Sequence, residues 1–254
     1  MKILVVQNRY HYRTGEDFTF EQEVELLQSY GHTVKTFTVD NRNIQANNIY
    51  QKIKLGFNTI WSIPSYKELD KILKQITPNI VHVHNILPLL SPAIFYACKA
   101  NNIPVVKTIQ NYRLGCPGTT FFRNHQVCEL CPKTSLLQSV RYGCYRDSKT
   151  QTATVAMMLQ IHRWLGTWDK VVSGYIAVSP FVRDKLIELD IPENKIYVKP
   201  NFIRPTSLPN RKIEFGSYYL FVGRLIEEKG IFPLLKAYEL ANPEFPLVIV
   251  GGEI

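Results

Sequence analysis

Apolar residues along the chain follow two spacings in turn. Short, largely apolar runs over 2–7, 32–39, 80–84, 104–109, 175–178 and 195–199 read as strands. The first of them, centred on Ile3-Leu4-Val5-Val6, has the continuous character of a strand covered on both faces. Between these runs the period lengthens. Phe20, Val24 and Leu27 recur at helical spacing within 16–30, with acidic residues in the first turn and a stop at Gly31. Pro64 is expected to break the chain before a helix over 65–76, and further helices are predicted over 91–101, 153–165 and 180–189. This alternation predicts an α/β fold with a doubly wound parallel sheet.

Two stretches depart from the rhythm. Residues 110–150 carry four cysteines and several aromatics without sustained periodicity, which marks an ordered insertion. Residues 203–216, with Pro205 and Pro209 in a weakened apolar pattern, read as an interdomain linker. A second βαβ unit follows, with strands over 218–222 and 247–250 around a helix over 229–240. The expected organisation is a first domain over 1–202, the linker, and a second domain over 217–254. Two strands do not make a stable domain by themselves, so the second is read as incomplete.

Charge adds an anionic partner to this picture. Lys and Arg outnumber Asp and Glu by 30 to 21, a formal net charge of +9. Between Cys98 and Thr150 there are eight basic residues and two acidic ones, so six of the nine excess charges lie in and around the insertion. In the same region Cys116, Cys128, Cys131 and Cys144 form C-x11-C-x2-C-x12-C, a spacing that suits a tetrahedral structural zinc site. Buried thiols and disulfides are the other readings, and Cys98 reads as a small buried helix residue. A zinc-organised nucleic-acid binder or a noncatalytic partner module is therefore the alternative to an enzyme.

Chemistry concentrates at strand ends. His82 and His84 are expected to face opposite sides of the sheet, leaving His84, with Asn85 at the strand's carboxyl end, as the cleft residue. After the strand over 218–222, the segment Gly223-Arg224-Leu225-Ile226-Glu227-Glu228-Lys229-Gly230 leads into a helix. A turn, two cations and a helix amino terminus at the end of a parallel strand form an anion site, where Arg224 supplies a two-pronged donor and Lys229 a point charge.

The run Phe221-Val222-Gly223-Arg224-Leu225-x-x-Glu228-Lys229-Gly230 resembles the donor-phosphate motif of family 4 glycosyltransferases of GT-B fold. The resemblance continues through Ile80-Val81-His82-Val83-His84-Asn85, Ile176-Ala177-Val178-Ser179 and Val198-Lys199-Pro200-Asn201-Phe202, and covers essentially the whole chain. It implies two Rossmann-like domains around a cleft, an acceptor-binding first domain, and a second domain for a nucleotide-diphosphate sugar. Sugar transfer would retain configuration without a catalytic metal. Arg224 and Lys229 would neutralise the departing diphosphate. Gly15, Glu16, His84, Asn85, Gln110, Arg113, Ser179, Asn201 and Gly223 would line the donor and acceptor cleft. Relatives commonly carry histidine at the place of Gln110, and glutamine can orient an acceptor but cannot exchange a proton. A subgroup of the family shares the cysteine-rich insertion. The family also uses a Glu-x7-Glu motif that this sequence does not reach, so the chain alone is expected to be truncated within the donor domain and to transfer no sugar.

Composition agrees with a globular protein, 45% apolar and 20% charged, and no stretch approaches the ~18 apolar residues that span a bilayer. The start of the chain lacks a signal-peptide pattern, so a cytoplasmic location is expected. The segment over 50–61 mixes Lys52 and Lys54 with Ile53, Phe57 and Trp61, a composition suited to peripheral contact with the inner face of an anionic membrane. The implied acceptors are saccharides or lipid-linked saccharides of the cell envelope.

Overall fold

Six of the apolar runs pair side by side in a computed structural model of the chain, which describes residues 1–44, 47–203 and 216–252. In chain order the elements are β1 (Lys2–Arg9), α1 (Gly15–Ser29), β2 (Thr33–Asp40), α2 (Ile49–Ile60), α3 (Ile63–Ile76), β3 (Ile80–Val83), α4 (Ala93–Ala100), β4 (Val105–Ile109), the two-residue strands β5 (Phe122–Arg123) and β6 (Gln126–Val127), α5 (Leu130–Lys133), α6 (Leu137–Tyr142), α7 (Lys149–Trp164), β7 (Gly174–Ala177), α8 (Pro180–Ile187), β8 (Ile196–Val198), β9 (Tyr219–Val222), α9 (Ile231–Ala241) and β10 (Leu247–Val250). They group into two units, residues 1–121 with 129–203, and residues 122–128 with the described part of 204–254. The linker expected at 203–216 lies, apart from its two end residues, outside the described residues.

In the first unit the strand order is β2-β1-β3-β4-β7-β8, and every pair is parallel. This is the Rossmann-like α/β architecture that the alternation predicts. Residues 3 to 8 of β1 are all buried, as a central strand covered on both faces requires. Alternate side chains serve the two layers. Leu4 and Val6 join Leu69, Val81, Ile94 and Phe95 in the larger core, while Ile3 and Val5 pack with Phe20 of α1 on the other face. The strand order reverses between β1 and β3. Connections leave that point in opposite directions, which opens a crevice at the strands' carboxyl ends.

Three local details refine the sequence reading, two of them, at Pro64 and at the start of the last helix, as corrections. Pro64 does not precede the helix but sits in the first turn of α3, where its missing N–H needs no partner and Ser62 caps the turn by accepting from Ser65 N at 3.2 Å. The segment around Phe57 is a complete helix, α2, opened by a capping box between Asn48 and Gln51. Helix α9 begins at Ile231, after Gly230 at φ 74°, rather than at Lys229. In the second unit β9 and β10 pair in parallel, and β5 and β6 form an antiparallel hairpin. Among the described residues no helix is long and apolar enough to cross a membrane.

The fully buried Leu69 tests the core. Leu69→Ala should lower unfolding free energy by about 3 kcal/mol, since a large-to-small core change removes transfer energy and leaves a cavity. A shifted denaturation midpoint with an unchanged slope is the expected readout.

Candidate functional site

The reversal between β1 and β3 is closed by two asparagines. Asn8 N donates to Asn85 O at 2.8 Å, and Asn85 Nδ2 returns a bond to Asn8 O at 2.8 Å. The Asn8 side chain spreads the tie further, accepting from Leu89 N at 2.9 Å and donating to Asn41 Oδ1 at 2.7 Å. Both asparagines thus work as fasteners of the crevice floor. Beside them Gln7 Nε2 donates to Asp17 Oδ1 at 2.7 Å, which pins the first turn of α1 to the end of β1.

A polar cluster stands on this floor. Glu16 Oε1 accepts from Asn111 Nδ2 at 3.0 Å. Burial, then the charge of Glu16, raises the Tyr10 phenol well above its ordinary range. Lys107, a lysine inside the otherwise apolar run of β4, donates from Nζ to His84 O at 2.8 Å. Its burial pulls its pKa down to about 8, against the opposing charge of Glu16. Arg113 Nη1 donates to Pro117 O at 3.2 Å, and the guanidinium lies over the Tyr145 ring at 5.2 Å. Gln110 and Asn201 exchange amide bonds at 3.3 and 3.1 Å. Glu16, His84, Asn85, Lys107, Gln110 and Arg113 share a cavity of about 40 Å³, room for water rather than for a sugar ring. Gly15 is exposed at the start of α1 with nothing within 4 Å of where a Cβ would stand. Ser179 lies at the end of β7 and caps α8, its hydroxyl accepting from Val182 N at 3.2 Å.

His82 and His84 do not face opposite sides. Residues two apart on a strand share a face, and the two rings lie 4.5 Å apart, both turned to Glu23 of α1. His84 is 1% exposed and edge-on to Phe20. Burial pushes the His82 imidazole down, to about 3. Burial would raise Glu23, but its contacts with His84, His82 and Lys199 prevail and hold it at about 2. Lys199 Nζ donates to Glu23 Oε1 at 2.5 Å across 176 positions of sequence. Sequence reasoning missed Tyr10, Glu23, Lys107, Asn111 and Lys199. Two of these left a signal: Lys107 interrupts an apolar strand, and Glu23 occupies the apolar stripe of Phe20 and Leu27.

In the second unit Gly223 ends β9 and donates its N–H to Val250 O at 3.0 Å. Arg224 and Lys229 are exposed in the turn that follows, and among the described residues neither has a carboxylate within 4 Å. Gly230 leads into α9 without a side-chain cap, so the helix's first donors are left open.

Among the described residues none of the four insertion cysteines is in a disulfide. Cys131 is pushed up to about 11, first by burial and then by neighbouring Cys116 and Cys144. Cys116, Cys131 and Cys144 are neighbours in the first unit, and Cys128 belongs to the second. Among the described residues the only group of three or more ligand atoms from His, Cys, Asp or Glu mutually within 4.8 Å is Glu23, His82 and His84.

Residues 20–207 match the family model for Glycosyltransferase Family 4. A curated relative, an uncharacterized 42.6 kDa protein in the cps region of Klebsiella pneumoniae, is 23% identical over 273 residues, 94% of this chain and 65% of its own. Among solved structures, the apo form of the lipopolysaccharide outer core galactosyltransferase WaaB aligns at TM-score 0.53 and 16% identity over 99% of this chain and 61% of that one. Anabaena HepE in complex with UDP aligns at 0.51 and 13%, over 100% and 62%. The chain thus spans less than two thirds of the length of these relatives. The likeness to the solved structures is one of fold, the Rossmann-like architecture of GT-B glycosyltransferases.

Lys107 makes stability depend on pH with a definite sign. The unfolded chain holds this proton up to about 10.5, whereas the folded protein releases it at about 8. Between those values the unfolded state binds more protons, so stability rises with pH, by up to about 3 kcal/mol. Denaturant unfolding at both ends of the window should show this increment as the difference between the native protein and Lys107→Met, since raised groups such as Cys131 oppose it equally in both.

Proposed function

Because this chain belongs to Glycosyltransferase Family 4, we propose that it serves retaining transfer of a sugar from a nucleotide-diphosphate donor to a saccharide or lipid-linked acceptor of the cell envelope. The family match over residues 20–207 carries the reading. The cps-region relative supports an envelope polysaccharide as product, and the UDP held by HepE supports a nucleoside diphosphate as leaving group.

In this reading the exposed cations of the second unit meet the diphosphate. Arg224 pairs two phosphate oxygens, Lys229 adds a point charge, and the open N-terminal donors of α9 complete the anion site beside Gly223. As the bond from the anomeric carbon to the diphosphate breaks, charge grows on the leaving phosphate, and fixed cations there lower the barrier by several kcal/mol. The acceptor hydroxyl forms its bond on the face that the diphosphate leaves, and its proton passes to the departing phosphate oxygen. No covalent nucleophile is required. On the acceptor side Gln110 and Asn201 offer paired amides to sugar hydroxyls, while Glu16 and Arg113, with Gly15 at the helix start and Ser179 at the end of β7, bound the polar floor. His84 and Asn85 act from below, one through its carbonyl on Lys107 and the other through the tie to Asn8.

Helix α2 gives this reading a location. Ile49, Ile53 and Phe57 form one exposed stripe at four-residue spacing, flanked by exposed Lys52 and Lys54. Such a face suits the anionic cytosolic leaflet where lipid-linked acceptors lie. Phe57→Ser should cut retention on anionic vesicles at low salt by about tenfold, measured by co-sedimentation, with unchanged circular dichroism.

The direct test is UDP binding by calorimetry, followed by nucleotide release from a panel of nucleotide sugars. Arg224→Ala and Lys229→Ala should each weaken UDP binding by about tenfold or more, the scale of a lost charge-assisted contact. Unchanged affinity in both variants would remove their assigned role.

A further inference from the structure

We propose that Glu23, His82 and His84 form a binding site for one divalent transition cation of the Zn²⁺ class, which clamps α1 to β3 beneath the polar floor. The site is separate from the cysteines and from the anion-binding turn. Its three ligand atoms lie within 4.8 Å of one another, and all three residues are buried.

Distances favour a metal over a shared proton. Glu23 Oε2 is 3.4 Å from His82 Nδ1 and 3.3 Å from His84 Nε2. A charge-assisted N–H···O bond closes to roughly 2.7–2.9 Å, so both contacts are long for a proton bridge. A tetrahedral cation with bonds of about 2.0–2.1 Å sets neighbouring ligand atoms about 3.4 Å apart, the separation between Glu23 Oε2 and each imidazole nitrogen. One carboxylate and two imidazoles are also a recurrent zinc ligand set.

Two further observations point to a missing occupant. His84, 1% exposed, has no hydrogen-bond partner at Nδ1, and its Nε2 has the 3.3 Å contact with Glu23 without hydrogen-bond geometry. An orphaned buried imidazole is costly unless something bonds it. His82 has the opposite arrangement, with Nε2 2.7 Å from Thr108 Oγ1. When that nitrogen donates to the hydroxyl, Nδ1 presents a bare lone pair to the carboxylate, a repulsive contact that a cation between them relieves. A ligand histidine commonly gives its second N–H to such an outer partner. Phe20 supplies an apolar wall against His84.

Lys199 marks the entrance. Its Nζ holds the other Glu23 oxygen, and its side chain is 37% exposed, so it can swing outward as an entering cation takes over the carboxylate's charge. The ammonium thus competes with the metal, and removing it should tighten binding. An ion pair that merely stabilises the fold would have no such effect.

The experiment strips the full chain with chelator and titrates it with Co²⁺. One equivalent should bind with a visible d–d band of tetrahedral intensity and without a near-ultraviolet thiolate charge-transfer band. His84→Gln and Glu23→Gln should weaken binding by about 100-fold or more, at or beyond the scale of lost outer-shell support. Cys131→Ser should leave it unchanged, and Lys199→Met should tighten it several-fold. Far-UV circular dichroism checks the fold of each variant, and the gain in Lys199→Met does not depend on a damaged protein. No cobalt binding by the native chain, or binding that carries the thiolate band and survives His84→Gln, would overturn the proposal.

Discussion

The tie between Asn8 and Asn85 is the contact on which the crevice depends. A parallel sheet offers no hydrogen bonds beyond its last paired residues, and at the reversal of strand order the chain leaves β1 and β3 in different directions. Reciprocal bonds at 2.8 Å carry the pairing past the strands' ends. Leu89 and Asn41 are drawn in by the same side chain, so one buried asparagine fixes three segments at once. Removing its side chain would deprive Leu89 N and Asn41 Oδ1 of these partners, each a penalty of about 1–3 kcal/mol. The Tyr10–Glu16 segment and the Asn85–Leu89 segment are therefore rigid at their roots.

Charge is then placed over and under that floor. Above it, Lys107 is held by a backbone carbonyl rather than a carboxylate, which leaves its cation incompletely compensated in a buried setting. Below it, Glu23 is ionised among two imidazoles and an ammonium. Buried ionic groups are poor stabilisers compared with apolar packing, and their retention is better explained by what they bind or position. The two buried clusters meet at His84, whose carbonyl serves Lys107 while its ring faces Glu23.

Periodicity made the sheet legible and the site only in part. A central strand must be apolar on both faces, so β1, β3, β4 and β7 announce themselves, and the alternation with helices leaves few topologies. Pro64 was misleading because proline both ends helices and opens them, and the capping role of Ser62 decides between the two. The histidine pair was legible in principle, since an interval of two places both rings on one face. What no local pattern carries is the meeting of Lys199 with Glu23, or of Gln110 with Asn201, 91 positions apart. Such pairs depend on how β4 and β8 arrive at the same edge of the crevice.

The Gln110–Asn201 pair bears on how proton transfer can be arranged. Two amides that satisfy each other can each turn one donor and one acceptor toward a sugar hydroxyl at little cost, because the bonds they give up are exposed and readily replaced by water or ligand. Neither can take a proton. The ionisable groups nearby are engaged, Glu16 with Asn111 and Tyr10 and Lys107 with a carbonyl. In the proposed reaction the acceptor's proton passes to the other substrate. A diphosphate leaving group, whose oxygens gain basicity as its bond to the sugar breaks, is chemically able to receive it. In the proposed reading the neutral amides supply orientation, and Arg224 and Lys229 supply charge stabilisation.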